Sequence, residues 1–277
     1  MKSSAFLIAA LLIGTVLTAN AQVPAQTTQP ATPGQTATPR AAKGNPAETE
    51  VWEPIPKVVS SGKTFNDAPS DAIVLFDGKN LDQWVSKRDM SAAKWIVSDG
   101  AFTVSKPTGD IQTKRTFTNY QMHIEFRIPS NITGAGQSRG NSGIFLAATN
   151  GNAGGYELQV LDGYNNENKT YSNGMVGSMY KESIPLVNSA RKPGVWNVYD
   201  IVWTAPTFNE DGTVKTRARV TAFLNGVLIQ NNYEVVGETA FIGKHEYVKH
   251  GPAPIKLQSH GDPSEPISYR NIWLREL

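Results

Sequence analysis

The chain has 277 residues, with 26 basic and 24 acidic side chains, a net charge of +2 and no cysteine. A charge balance this even, without a run of Lys or Arg, excludes a nucleic-acid surface, which depends on clustered cations. The lack of cysteine excludes thiol chemistry and a disulfide framework.

The N-terminus reads as a secretory signal peptide over 1–21: Lys2, an apolar run from Ala5 to Leu17, then small residues at Ala19 and Ala21. The apolar run falls short of the ~20 residues of a membrane span. The expectation is therefore cleavage near Ala21 and a periplasmic or secreted protein with no stable membrane insertion. Removal of Lys2 brings the net charge near +1. Residues 22–50 are rich in Ala, Thr, Pro and Gln and read as a low-complexity linker. Residues 51–71 form an extended, proline-containing lead-in, and about 205 residues from Ala72 to Leu277 remain for one domain.

Within 72–277 the pattern is one of short strands: IVLFDG, WIVSDGAFTV, YQMHIEFRI, SGIFLAA, YELQVLDG, WNVYDIVWT, TRARVTAFLNGVLI, PIKLQSH and ISYRNIWL. The pairs Asp99-Gly100 and Asn225-Gly226 are hairpin signals because these residues accept positive φ. No long stretch repeats with helical period, so the chain reads as all-β, a sheet-on-sheet sandwich whose inner faces supply the core.

Alternation along a strand assigns the faces. In YELQVLD, Tyr156, Leu158 and Val160 point one way, and Glu157 and Gln159 the other. PIKLQSH separates Ile255, Leu257 and Ser259 from Lys256, Gln258 and His260. YQMHIEFRI separates Met122, Ile124, Phe126 and Ile128 from His123, Glu125 and Arg127. If the three strands share a sheet, their polar faces merge into one surface. A solvated face of an antiparallel sheet also alternates in this way, but Gln, His and Asn are unusual choices for mere solubility. Asn141 and Ser142, between Gly140 and Gly143, fit a place where a ligand approaches the backbone closely. His260 ends its strand at a sheet rim, a useful position for a base. His245 and His250, five apart, share no helical face and do not make a metal motif; any metal ligand set is unknown.

The segments NSGIFL, YELQVLD, LQSHG (257–261) and YRNIWLREL (269–277), in this order over 71–277, resemble the 3-keto-disaccharide hydrolase family, formerly a domain of unknown function. The resemblance implies a concanavalin-like jelly-roll β-sandwich acting on glycosides already oxidised at C3. The ketone acidifies the C2 hydrogen; a base removes it, the C1 substituent leaves and water adds, giving net hydrolysis. On that reading Glu157 or His260 is the base, and Arg127, Lys256 or a bound divalent cation holds the enolate. Glu125, Asn141, Ser142, Gln159, Lys256, Gln258 and Tyr180 contact the sugar. No cofactor is otherwise implied.

Two rivals stay open. A conventional jelly-roll glucanase carries E-x-D-x-x-E, but here Gln159 and Asp162 follow Glu157, so the pattern fails at two points, though Glu125 with Glu157 would still make a carboxylate pair. A non-catalytic, lectin-like carbohydrate-binding module would use loop tyrosines such as Tyr164, Tyr171, Tyr180 and Tyr247, since a fold does not settle function.

Overall fold

A computed structural model of the chain describes residues 44–150 and 154–277. The expected signal peptide, and the linker as far as residue 43, lie outside the described residues. The chain divides into two units, 1–56 and 57–277. The described part of the first has one 3-10 turn, Pro46–Thr49, where the Asn45 side chain accepts the Ala47 N–H.

The second unit is all-β. Its strands are β1 (Ile73–Phe76), β2 (Trp84–Ser86), β3 (Ile96–Ser98), β4 (Ala101–Thr103), β5 (Ile111–Thr113), β6 (Tyr120–Arg127), β7 (Ser142–Phe145), β8 (Glu157–Val160), β9 (Asn197–Thr204), β10 (Thr207–Phe208), β11 (Val214–Thr216), β12 (Arg219–Leu224), β13 (Val227–Glu234), β14 (Lys256–Leu257) and β15 (Ser268–Glu276). The larger sheet runs β13-β12-β9-β6-β15-β4-β3, with β1 also paired to β15; the smaller runs β2-β5-β14-β7-β8. All pairings are antiparallel, and the arrangement is consistent with a jelly-roll sandwich.

Alternation works as the sequence predicts. Met122, Ile124 and Phe126 of β6 join Leu158 and Val160 of β8 and Leu257 of β14 in one buried cluster, so the two sheets pack face to face. Hydroxyls carried by the larger sheet then reach across the core to polar groups of the smaller one. Tyr199 donates to the Gln159 carbonyl at 2.8 Å and Tyr120 to the Leu146 carbonyl at 2.6 Å. Buried polar groups need such partners, and these bonds fix one sheet's position over the other.

Both hairpin signals form. Asp99 and Gly100 join β3 to β4 at φ 52° and 73°, and Asn225 and Gly226 join β12 to β13 at φ 54° and 80°. The lead-in carries no strand over 51–71. Its end is nonetheless fastened to the outer side of the larger sheet: the Asn66 carbonyl accepts from Asn271 and from the Trp273 indole, and Asp71 receives both Nε and Nη2 of Arg275.

Candidate active site

The outward face of the smaller sheet carries the site. Register places Gln112, Lys256, Phe145 and Glu157 in one row across β5, β14, β7 and β8, with all four side chains on the side away from the core. A neighbouring row sets Gly143 opposite Gln159, with the Gln258 N–H on the Gly143 carbonyl. Loops then wall this surface into a cavity of about 450 Å³ lined by Glu157, Gln159, Asn141, Tyr180, Gln258 and His260, together with Gln137, Ser138, Phe145, Thr239 and Phe241.

Glu157 is 4% exposed. Burial pushes its carboxyl up to about 8, against the lowering influence of Lys256 and with a smaller raising contribution from Asp110. Its backbone is fixed on both sides: its N–H donates to the Thr239 hydroxyl at 2.9 Å, and its carbonyl accepts the Tyr180 N–H at 3.0 Å. Gly143 provides the room for the side chain, because a Cβ there would fall 2.2 Å from Glu157 Oε1.

His260 stands over Asp262, with Nδ1 2.7 Å from Oδ2. The Asp262 N–H also approaches Nδ1, at 3.3 Å, so Asp262 holds the ring through both its side chain and its backbone. Burial acts to raise the Asp262 carboxyl, but Ser264 and His260 outweigh it and hold the group below its ordinary value. Gln159 donates to Gln137 Oε1 and to the Gly174 carbonyl, while its own Oε1, like that of Gln258, is buried without a protein partner. Two unmatched acceptors on a cavity wall suit ligand hydroxyls.

Three sequence expectations change. Glu125 and Arg127 belong to β6 of the other sheet and project from the opposite side of the sandwich. Alternation says which side of a strand a residue occupies but not which sheet the strand joins. Arg127 lies over the Trp196 ring at 4.6 Å. Glu125 is held by Arg270 Nε at 2.6 Å and by Asn271 at 3.0 Å. Burial alone would raise Glu125, but His123, Asn271 and Arg270 keep it at about 2. Ser142 faces inward, bonded to the Gln258 carbonyl at 2.6 Å and the Tyr269 hydroxyl at 2.7 Å. Lys256 shares the row of Glu157 but is tied down, 3.1 Å from Asp110 and over the Phe145 ring at 3.5 Å.

Of the loop tyrosines, Tyr180 lines the cavity and Tyr171 shares a hydroxyl hydrogen bond with it. Tyr247 is packed against the core cluster, bonded to the Val235 carbonyl. Gln137, Thr239 and Phe241 come from irregular segments that no periodicity marks. Asp262, two residues after His260, had a readable signal in its spacing. Among the described residues no group of three or more His, Asp or Glu side chains is placed to hold a metal ion.

Residues 71–275 match the family described as the 3-keto-alpha-glucoside-1,2-lyase-like domain. The chain belongs to this family. A comparison with curated proteins finds no match. Among solved structures, a candidate glycosyl hydrolase from Parabacteroides distasonis ATCC 8503 is 57% identical with a TM-score of 0.78, covering 84% of this chain and 97% of that one. A second candidate glycosyl hydrolase from the same organism, 20% identical with a TM-score of 0.55 over 75% of this chain and 94% of its own, shares the fold. The family and the first of these structures support a carbohydrate-active protein of glycoside hydrolase or lyase type.

Proposed function

We propose that the protein cleaves 3-keto glycosides by elimination across C1 and C2 followed by hydration, with Glu157 as the base. The observation that carries this reading is a single buried carboxyl, raised to about 8, on the floor of a cavity walled by neutral amides. A base serves best when its pKa lies near the working pH.

In the first step the Glu157 carboxylate takes the C2 proton; the C2–H electron pair forms the enolate with the C3 oxygen. The enolate then collapses, C1=C2 forms, and the C1–O bond breaks with its pair passing to the leaving oxygen. That oxygen takes the proton now held on Glu157. His260, oriented by Asp262, is the group that draws a proton from water as its oxygen adds at C1, and that same proton is returned to C2 as the enolate collapses to the ketone. Lys256, two strands from Glu157, supplies positive potential to the developing enolate rather than contact.

Glu157 is the one carboxylate among the described residues that line the cavity. This favours elimination over double displacement, which needs two carboxylates about 5–5.5 Å apart. The test is incubation with a 3-keto glucoside and the matching unoxidised glucoside. Turnover of the first alone supports the reading; turnover of the second, or binding without turnover, defeats it. The leader and linker composition supports the further proposal that the enzyme works outside the cytoplasm.

A further inference from the structure

A second cavity, about 660 Å³, opens over Gln112. Gln112 is 6% exposed, and its amide nitrogen is directed to the Met90 sulfur at 3.5 Å. Its Oε1 is buried without a protein partner. Leaving an acceptor unpaired in this way costs stability unless something else supplies a donor. Met90, which shapes the wall beside it, is held at φ 60°, a conformation rare outside glycine and asparagine.

Two relationships say what fills the space. Gln112 lies in the same cross-sheet row as Lys256, Phe145 and Glu157, so both cavities open on one face of one sheet. Three strand spacings of about 4.8 Å separate the ends of that row, roughly 14 Å, a distance that an extended saccharide spans and a single ring does not. The lining of the second cavity also contains Lys87, Lys114, Lys249 and His250, and no Asp or Glu among the described residues. Lys249 is committed to the Asn209 and Glu210 carbonyls at 3.0 Å, and His250 to the Tyr156 hydroxyl at 3.0 Å. Lys87 and Lys114 are left as the cations that a ligand meets; Lys87 makes one long contact, 3.4 Å, to Asn150.

We propose that the cavity over Gln112 is a distal sugar subsite, accepting a hydroxyl on Gln112 Oε1 and an anionic sugar substituent, carboxylate or sulfate, beside Lys87 and Lys114. The placement of the reacting ring at Glu157 rests on the function proposed above; binding at Gln112 does not.

Calorimetric titration of the full chain carrying Glu157→Gln, chosen to slow any turnover, tests this with three probes: a trisaccharide ending in glucuronate, its glucose-ended counterpart and its sulfated counterpart. At least one anionic probe should bind about tenfold more tightly than the neutral one, and whichever does names the substituent. That advantage should vanish in Lys87→Gln/Lys114→Gln and shrink in 0.5 M salt, as expected for partly exposed charges. Gln112→Leu should weaken all three probes. Equal affinities, an advantage that survives the double lysine change, or a Gln112→Leu protein that binds normally would overturn the proposal. Turnover of a small neutral 3-keto glucoside by Lys87→Gln/Lys114→Gln should match wild type. If anionic probes bind as described but no 3-keto glycoside is cleaved, only the catalytic reading falls. If cleavage occurs without an anionic preference, only the subsite falls.

Discussion

Gly143 lies directly under the Glu157 carboxyl, and a methyl group at 143 would sit 2.2 Å from Oε1 and 2.8 Å from Cδ. The backbone at 143 lies outside the positive-φ region, so alanine meets no conformational strain there. Gly143→Ala should therefore displace the carboxylate and leave the strand intact. Since misplacing a reacting group by about 1 Å can cost 10²-fold, kcat should fall by about that factor while Tm changes little. Wild-type turnover in Gly143→Ala would show that the carboxylate's position is unimportant.

Glu157→Gln keeps the size of the side chain and removes the base, so kcat on a 3-keto glycoside should drop by about two to four orders of magnitude. In the wild type, kcat/KM should climb with pH towards about 8, where the carboxyl ionises. Stability should run the other way. The folded value of about 8 lies above the ordinary 4.5, so the native state holds the extra proton between them. The associated stabilisation is complete below about pH 4.5 and is lost as pH rises through about 8. Denaturant titrations from pH 5 to 9 should show that decline in the wild type and a flatter profile in Glu157→Gln. Superimposable profiles would place the ionisation on another group.

Glu125 should behave as a structural acid. It is 3% exposed and bound by Arg270 and Asn271 on the side of the sandwich away from the cavity. Glu125→Ala strands the Arg270 and Asn271 donors and should cost roughly 1–3 kcal/mol, the smaller end being favoured because Arg270 is 40% exposed. Its kcat should remain near wild type. A loss of turnover as large as that of Glu157→Gln, at unchanged Tm, would return Glu125 to the chemistry.

Gly226 has φ 80° and no atom within 4 Å of where a Cβ would stand. Valine there meets no clash, only the conformational penalty of a β-branched residue at positive φ, roughly 1–2 kcal/mol. Chemical denaturation of Gly226→Val should show that loss with normal catalysis, because the β12–β13 hairpin is at the far edge of the larger sheet. An unchanged midpoint would mean that the turn relaxes to another type.

Local pattern, read from the sequence alone, settled both tight hairpins, the strands other than β2, β5, β10 and β11, and the core-facing side of β6, β8 and β14. These depend on φ preference and on a two-residue side-chain period, both of which operate over a few residues. The same alternation set Glu157 beside Gln159 and Lys256 beside Gln258. Partnership between distant strands was decided only in three dimensions. Strands β6 and β8 present the same kind of polar face, yet one pairs with β9 and β15 and the other with β7, which sends Glu125 and Arg127 to one side and Glu157 to the other. Ser142 and Gly143 are adjacent in sequence but face opposite ways, and only the position of β7 in the smaller sheet put Gly143 against the Glu157 carboxyl. The loop contributions of Gln137, Thr239 and Phe241, and the burial that raises Glu157, arise from closure of the whole sandwich. Strand pairing and desolvation are sums over residues far apart in the chain, so no local period carries them.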